Sequence, residues 1–212
     1  MIGLNGINYF TKTLHKGYPI RRLETSIFIG YTLMVAQNYG GIYMKIRLLT
    51  KEDAEIYLAV RLEGIKENPE VFSTTLDDIM EKDDPIEYKA NFLDKESDYT
   101  IGAFTDEGDL VGVATLKTSD KEKSVHKGKI VAVYVSPKSR GLGAGRKLID
   151  EIIHLAKELG LEQIMLDVVS GNEPAIKLYE KIGFETFAKS PNDLKYNDQY
   201  WDQDHMIMYL KK

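Results

Sequence analysis

The sequence predicts an α/β (α+β) domain of about seven strands and about four helices. Three observations carry that reading. Runs of apolar, β-branched residues alternate several times with segments whose apolar residues recur every three or four positions. The chain has 212 residues, 43% of them hydrophobic, which is enough material for one sizeable core. The third is the stretch from Lys129 to Leu159, in which a strand runs through a basic, glycine-rich turn into an amphipathic helix.

The organisation changes at residue 44. Residues 1–43 hold Lys12, Lys16, Arg21 and Arg22 against Glu24 alone, a net +3, so the remainder carries −8 of the total −5. Within them Thr25 to Ala36 is apolar but too short to span a bilayer. It is a poor signal-peptide core, because its leader is long and Met34 stands where cleavage needs a small residue. Gly40-Gly41-Ile42-Tyr43 precedes Met44, and Gly-Gly codons can hold a purine-rich ribosome-binding sequence. The expectation is therefore an N-terminal extension over 1–43, disordered or not native coding sequence, and a domain over 44–212.

From Met44 the pattern is regular. Lys45 to Leu49 alternates as a short strand. Thr50, with Asp53 three residues on, resembles a capping box, and Ala54, Tyr57, Leu58, Leu62 and Ile65 then fall on one side of a helix. Asn68-Pro69 breaks it. Residues 70–96 read as one polar helical stretch rich in acids, Asp77 to Glu87. Tyr99 to Phe104 and Leu110 to Lys117 are strands joined through Asp106-Glu107-Gly108-Asp109, and 118–128 is a charged loop. Ile130 to Val135 is a buried strand, ended by Pro137. Leu148, Ile149, Ile152, Ile153, Ala156 and Leu159 form one face of the next helix, and Gly160 is its C-cap. Gln163 to Val169, apolar almost throughout, is expected to run parallel to its neighbour. Asn172 caps a short helix, Glu173 to Lys181, that Gly183 ends. Phe184 to Ala188 is a strand, Ser190 to Asp204 a loop containing Tyr196, Tyr200 and Trp201, and His205 to Leu210 the closing strand.

Composition narrows the chemistry. There are no cysteines, which excludes disulfides, thiolate metal sites and a cysteine nucleophile, and fits a reducing cytoplasm. The four histidines lack metal-ligand spacing, so no metal is expected. A net charge of −5 gives no reason to expect nucleic acid.

The glycine turn is the chemical clue. Free N–H groups at a helix start, with the helix's positive end behind them, suit a phosphate. A Walker loop fails, because Arg146 stands where Gly-Lys-Ser/Thr is needed. A dinucleotide fingerprint needs its third glycine at Arg146 and its glycines directly after the strand; Asp167, at the end of the next strand, is the feature that resembles a ribose-binding acid. The third pattern is Arg/Gln-x-x-Gly-x-Gly/Ala behind a Val-x-Val-x-Pro strand end. Arg140-Gly141-Leu142-Gly143-Ala144-Gly145 behind Val133-Tyr134-Val135-Ser136-Pro137 fits it throughout.

That loop resembles the coenzyme A pyrophosphate loop of the GNAT superfamily of N-acetyltransferases. A second motif, Asn172-Glu173-Pro174-Ala175-Ile176-Lys177-Leu178-Tyr179 through Gly183-Phe184, is similar to the family's Asn…Ala-x-x-Leu-Tyr-x-x-x-Gly-Phe. The element order, β-α-α-β-β-β-α-β-α-β-β, is also that of the GNAT fold, a mixed, mostly antiparallel sheet, over about 44–212. The resemblance implies acetyl transfer from acetyl-CoA to a small-molecule or peptide amine in one ternary complex, by a monomer or homodimer acting in the cytoplasm without metal, nucleic acid or membrane. It implies that Val133, Tyr134 and Val135 pair with the pantetheine arm, that Gly141 to Arg146 receive the pyrophosphate with Arg140 and Arg146 adding charge, that Asn172 contacts the cofactor arm, and that Tyr179 protonates the leaving thiolate. Many relatives carry a glutamate on the strand before the loop. Lys129-Ile130-Val131-Ala132 has none, so the base is unassigned, with His126 one candidate, and a non-catalytic acyl-CoA-binding module is the alternative.

Overall fold

The computed structural model describes residues 44–211, and the expectations for 1–43 lie outside the described residues. In chain order the elements are β1 (Lys45–Leu48), α1 (Ala54–Glu67), α2 (Leu76–Met80), α3 (Pro85–Leu93), β2 (Asp98–Phe104), β3 (Leu110–Lys117), β4 (Lys127–Val135), α4 (Ala144–Glu158), β5 (Gln163–Val169), α5 (Glu173–Ile182), β6 (Glu185–Tyr196) and β7 (Gln199–Tyr209). The strands form one seven-stranded sheet in the order β1-β2-β3-β4-β5-β7-β6. Every neighbouring pair is antiparallel except β4 and β5, which are parallel as the unbroken apolar run of β5 predicts.

Each face of the sheet has its own core. On one, Leu148, Ile149 and Ile152 of α4 pack on Ala114, Leu116, Ile130, Ile164 and Leu166, all buried. Burying such an aliphatic side chain contributes about 1.5–3 kcal/mol. On the other face Ala54, Tyr57 and Val60 of α1 and Leu93 of α3 pack on Phe104, Val113 and Tyr134. Before α1, the Asp53 carboxylate accepts the Thr50 N–H at 2.9 Å and grips the Arg47 guanidinium with two bonds of 2.7 Å.

Two expectations are corrected. Residues 70–96 are not one helical stretch. The Thr75 hydroxyl and Asp78 carboxylate cap α2 reciprocally, and Asp84 then accepts the N–H groups of Ile86 and Glu87 at 2.9 Å, starting α3 with Pro85 in its first turn. Asp84-Pro85 is a helix start, and it divides the stretch. Nor is 190–204 a loop. β6 and β7 continue as a long hairpin closed by Asn197 and Asp198, whose φ values of 47° and 57° are those of a two-residue turn with left-handed residues. The strand escaped notice because β6 is an edge strand with most side chains in solvent, which leaves no hydrophobic alternation to read; the edge also accommodates Pro191.

The α1/α3 core encloses charge. Arg61 of α1 and Lys89 of α3 are 6% and 7% exposed. The Arg61 guanidinium lies 4.6 Å from the centroid of the Phe72 ring, and its Nη1 is buried without a hydrogen-bond partner among the described residues. Asp98, also buried, has Lys95 and Lys117 at 3.9 and 3.7 Å. Burial, and then the neighbouring Arg61 charge, pulls the Lys89 ammonium down to a pKa of about 8.

The sign of the consequence is fixed. The unfolded chain holds this proton to a pH of about 10.4, so between about pH 8 and 10 it binds more protons than the folded chain does. Stability therefore rises with pH in that window, and the penalty is fully present below it. Thermal melts should show wild type gaining a few degrees on Lys89→Met between pH 8 and 10, about 1 kcal/mol after allowing for solvent relaxation. Parallel curves for the two proteins would mean that the charge is not penalised.

Candidate functional site

The site begins where two strands part. β4 and β5 pair from Lys127↔Gln163 to Ile130↔Leu166 and no further. Just beyond, β4 bulges: Val131 faces Thr115 and Tyr134 faces Val113, so two residues, Ala132 and Val133, stand against Ala114 alone. Ala132 adopts φ 57°, a left-handed conformation that costs a residue with a Cβ about 1–2 kcal/mol. The kink turns the end of β4 away from β5 and opens a cleft of about 870 Å³. Ile130 to Val135 form one wall and Leu166 to Val169 the other; the glycine loop and α5 close its upper end. Val133, Tyr134 and Val135 thus offer backbone on the side where β5 no longer pairs with them.

The loop's glycines divide into two kinds. Gly141 and Gly143 have φ of 76° and 85°, and a Cβ on either would meet no protein atom within 4 Å. Gly145 would bring a Cβ to 3.3 Å from Leu178, so it serves the close approach of α4 to α5. Gly143 is the N-cap of α4 and offers no side chain, which leaves the first-turn N–H groups from Ala144 onward to a ligand. Of the expected loop residues only Leu142 does not line the cleft; it is 38% exposed.

The arginines are both engaged. Arg140 donates its Nε–H to the Val135 carbonyl at 3.0 Å, which fixes the guanidinium at the end of β4. Arg146 is bound through Nε to both oxygens of Asp150, at 2.9 and 2.7 Å, so its charge is shared one turn along α4.

α5 and its cap contribute side chains to the cleft's upper end. Asn172 caps it, Oδ1 accepting from the Ala175 N–H at a long 3.4 Å, and also faces the cleft. Tyr179 lines the cleft from the helix's buried side, with its ring edge-on to Phe184 at 5.9 Å. Burial pushes its phenol up to a pKa of about 12, which keeps it a neutral hydrogen-bond donor at physiological pH.

A polar chain crosses the sheet beside these residues. Lys129 on β4 pairs with Asp167 on β5; Asp167 Oδ1 holds His205 Nδ1 of β7 at 2.7 Å; and His205 Nε2 meets the Ser190 hydroxyl of β6 at 2.6 Å. Burial opposes the Asp167 charge, but the bonds from Lys129 and His205 outweigh it and hold the carboxyl below its ordinary range. An ionised Asp167 can only accept, so Nδ1 donates to it, and Nε2 and the Ser190 hydroxyl share a hydrogen bond. Asp167 is the only carboxylate among the cleft's lining residues. Its sequence signal was a lone acid in an apolar strand, which suggested a ribose contact instead. His126 does not line the cleft; its carbonyl receives the Glu162 N–H at 2.8 Å. Tyr200 and Trp201 lie on β7, outside the lining.

This architecture has known counterparts. The family model described as acetyltransferase (GNAT) family matches residues 66–184, more than half of the chain. The mycothiol acetyltransferase of Thermobispora bispora is 33% identical over 146 residues, 66% of this chain but 46% of that protein's length. The chain thus spans about half of that relative. Among solved structures, an acetyltransferase of the GNAT family from Streptococcus pneumoniae superposes with a TM-score of 0.69 at 22% identity, covering 78% of this chain and 99% of that one. The yncA protein of Salmonella typhimurium, solved with its cofactor acetyl-CoA, gives 0.68 at 19% identity over 80% and 95% of the two chains. With the parted strands, the loop and the family match in agreement, the chain belongs to the GNAT family of acetyltransferases.

Proposed function

We propose that this chain is an N-acetyltransferase that moves an acetyl group from acetyl-CoA to a primary amine by direct attack in a ternary complex, in the cytoplasm. The observation that carries the reading is the cleft itself: an unpaired strand edge on β4, an anion-binding helix start at its mouth, and a buried phenol in its wall. Support for acetyl-CoA also comes from the yncA structure, which shares the fold and holds that molecule.

Each part has a physical task. Backbone groups of Val133 to Val135 take the pantetheine arm as an added strand. The N–H groups from Gly141 to Arg146 take the pyrophosphate, which a side chain at either left-handed glycine would crowd. The amine nitrogen attacks the thioester carbonyl carbon, the C–S bond breaks, and Tyr179 gives its proton to the departing sulfur. The attacking nitrogen must shed a proton as well. For a lysine-like amine of pKa about 10.4, deprotonation at pH 7 costs about 4–5 kcal/mol. We assign its acceptance to the Asp167–His205 couple, reached through water, because the strand before the loop offers no acid.

Two variants test the assignments. A valine at 143 faces no protein atom, so Gly143→Val keeps the fold at the cost of local strain of about 1–2 kcal/mol. Its affinity for acetyl-CoA in calorimetric titration should fall at least tenfold, about 1.4 kcal/mol. Unchanged affinity in the folded variant would remove the loop from the binding site. Tyr179→Phe keeps the ring against Phe184 and removes only the hydroxyl. General-acid assistance is typically worth about 10²–10⁴ in rate, so kcat should fall at least tenfold while acetyl-CoA affinity and Tm stay put. A rate within twofold of wild type, with chemistry limiting, would leave Tyr179 a packing residue. Wild type that binds acetyl-CoA yet acetylates nothing in a broad amine panel would instead be an acyl-CoA-binding module.

A further inference from the structure

We propose that Arg61 and Lys89 form a receptor for a carboxylate carried by the acceptor, so that the acceptor is amino-acid-like, an amine and a carboxylate on one small molecule. The proposal rests on the acetyl-transfer reading of the cleft.

The first ground is an unbalanced buried charge. Arg61 is 6% exposed, forms no ion pair with any acid of the described residues, and leaves Nη1 buried without a hydrogen-bond partner. A second cation, Lys89, is buried close enough to feel it. The two buried acids among the described residues are already engaged, Asp98 with Lys95 and Lys117 and Asp53 with Arg47. Tyr57 lies beside Arg61 as well, and adds a hydroxyl but no charge. An isolated buried guanidinium is strongly unfavourable, whereas one that meets an anion in two-pronged geometry is not.

The second ground is position. The ring that covers the guanidinium, Phe72, is itself a lining residue of the cleft. Tyr134 stands 6.2 Å from the same ring, centroid to centroid, also in the lining and with a buried hydroxyl that lacks a hydrogen-bond partner among the described residues. Two of the three buried side-chain polar atoms left unpartnered among the described residues therefore flank one cleft-lining phenylalanine. The receptor requires that Phe72 turn to another staggered rotamer and so uncover Arg61 toward the cleft.

The third ground is the charge around Tyr134. Glu63, which accepts the Ser136 hydroxyl at 2.8 Å, and Glu67 both act on the Tyr134 hydroxyl, with Arg140 in opposition. Acids thus lie beside Tyr134 and the Arg61 guanidinium beside Phe72, two neighbouring rings that both line the cleft. That pattern suits an ammonium and a carboxylate on one molecule. Arginine's planar fork discriminates a carboxylate from the matching carboxamide, which lacks the charge and one acceptor oxygen.

The experiment uses the full chain and a panel of L-α-amino acids, each beside its α-carboxamide, with free thiol release as the readout. Wild type should favour the acid over its carboxamide at least tenfold in kcat/KM. In Arg61→Met that ratio should collapse to within twofold of unity, through KM for the acid, and Arg61→Lys, which keeps charge but not the fork, should fall between. Without acceptor, Arg61→Met should melt at or above wild type, since it loses an uncompensated buried charge. Equal use of acid and carboxamide by wild type, or a preference that survives in both variants, overturns the receptor. Should wild type bind acetyl-CoA and acetylate no member of the panel, the transfer reading fails, and melts with coenzyme A present decide the receptor separately. Amino acids that raise the Tm of wild type but not of Arg61→Met uphold it, and a shift shared by both proteins, or absent from both, overturns it.

Discussion

The parting of β4 from β5 is the constraint on which the rest of this molecule depends. Two parallel strands with apolar inner faces would ordinarily zip to their ends, because each further pair of backbone groups is satisfied by the next. Here the zipping stops at Ile130↔Leu166, and the bulge at Ala132 shows how. One extra residue against Ala114 bends β4, and the left-handed alanine stores strain that only a well-packed surround can hold. That surround is the α4 core, where Ala114, Leu116, Ile130 and Leu166 are locked against Leu148 and Ile152. The strand edge exposed in this way is left open for the proposed cofactor arm, because the bulge opposes closing the sheet.

The same helix that braces the bulge also presents the proposed pyrophosphate site. α4 leaves the sheet through Gly141 and Gly143, and the missing Cβ atoms keep its first turn open toward the cleft. Gly145 then lets it settle against α5, which carries Tyr179 to the cleft's upper end. One packing arrangement therefore sets the spacing between the helix start and the phenol. In the proposed mode, recognition of the cofactor's two ends is a matter of rigid distances rather than of mobile side chains, and both Arg140 and Arg146 are already tethered by partners of their own.

What was legible in the sequence followed from how local its cause was. The glycine loop, the Asn172 cap, the αL stop at Gly183 and the parallel strand β5 each arise from a few adjacent residues, and each appears where the residues place it. The division of 70–96 was also locally encoded, by Thr75 and by Asp84-Pro85, but acids along the segment masked two separate caps as one polar face. The β6–β7 hairpin was less legible because an edge strand exposed on both faces has no periodicity. The Lys129–Asp167–His205–Ser190 chain was beyond reach, since it joins four strands whose neighbours are settled only by the sheet order. Arg61 reads in sequence as one more charged residue of an amphipathic helix; its burial depends on α3 and Phe72 closing over it.

The two faces of the sheet are accordingly built to different standards. Under α4 the buried cluster is aliphatic, with every named side chain in contact with apolar neighbours, and this is the face that must not yield if the bulge is to persist. Under α1 and α3 the core admits Arg61, Lys89, Asp98 and the Tyr134 hydroxyl, three of which leave a polar atom without a hydrogen bond. Each such atom costs about 1–3 kcal/mol, more for a charged group, so this face is well below the stability an apolar core of the same volume would supply. A fold tolerates that deficit where the unmade bonds are made by something else. Two of the three, on Arg61 and Tyr134, lie beside Phe72, and this places unmet hydrogen-bonding capacity next to the space the proposed acceptor would enter.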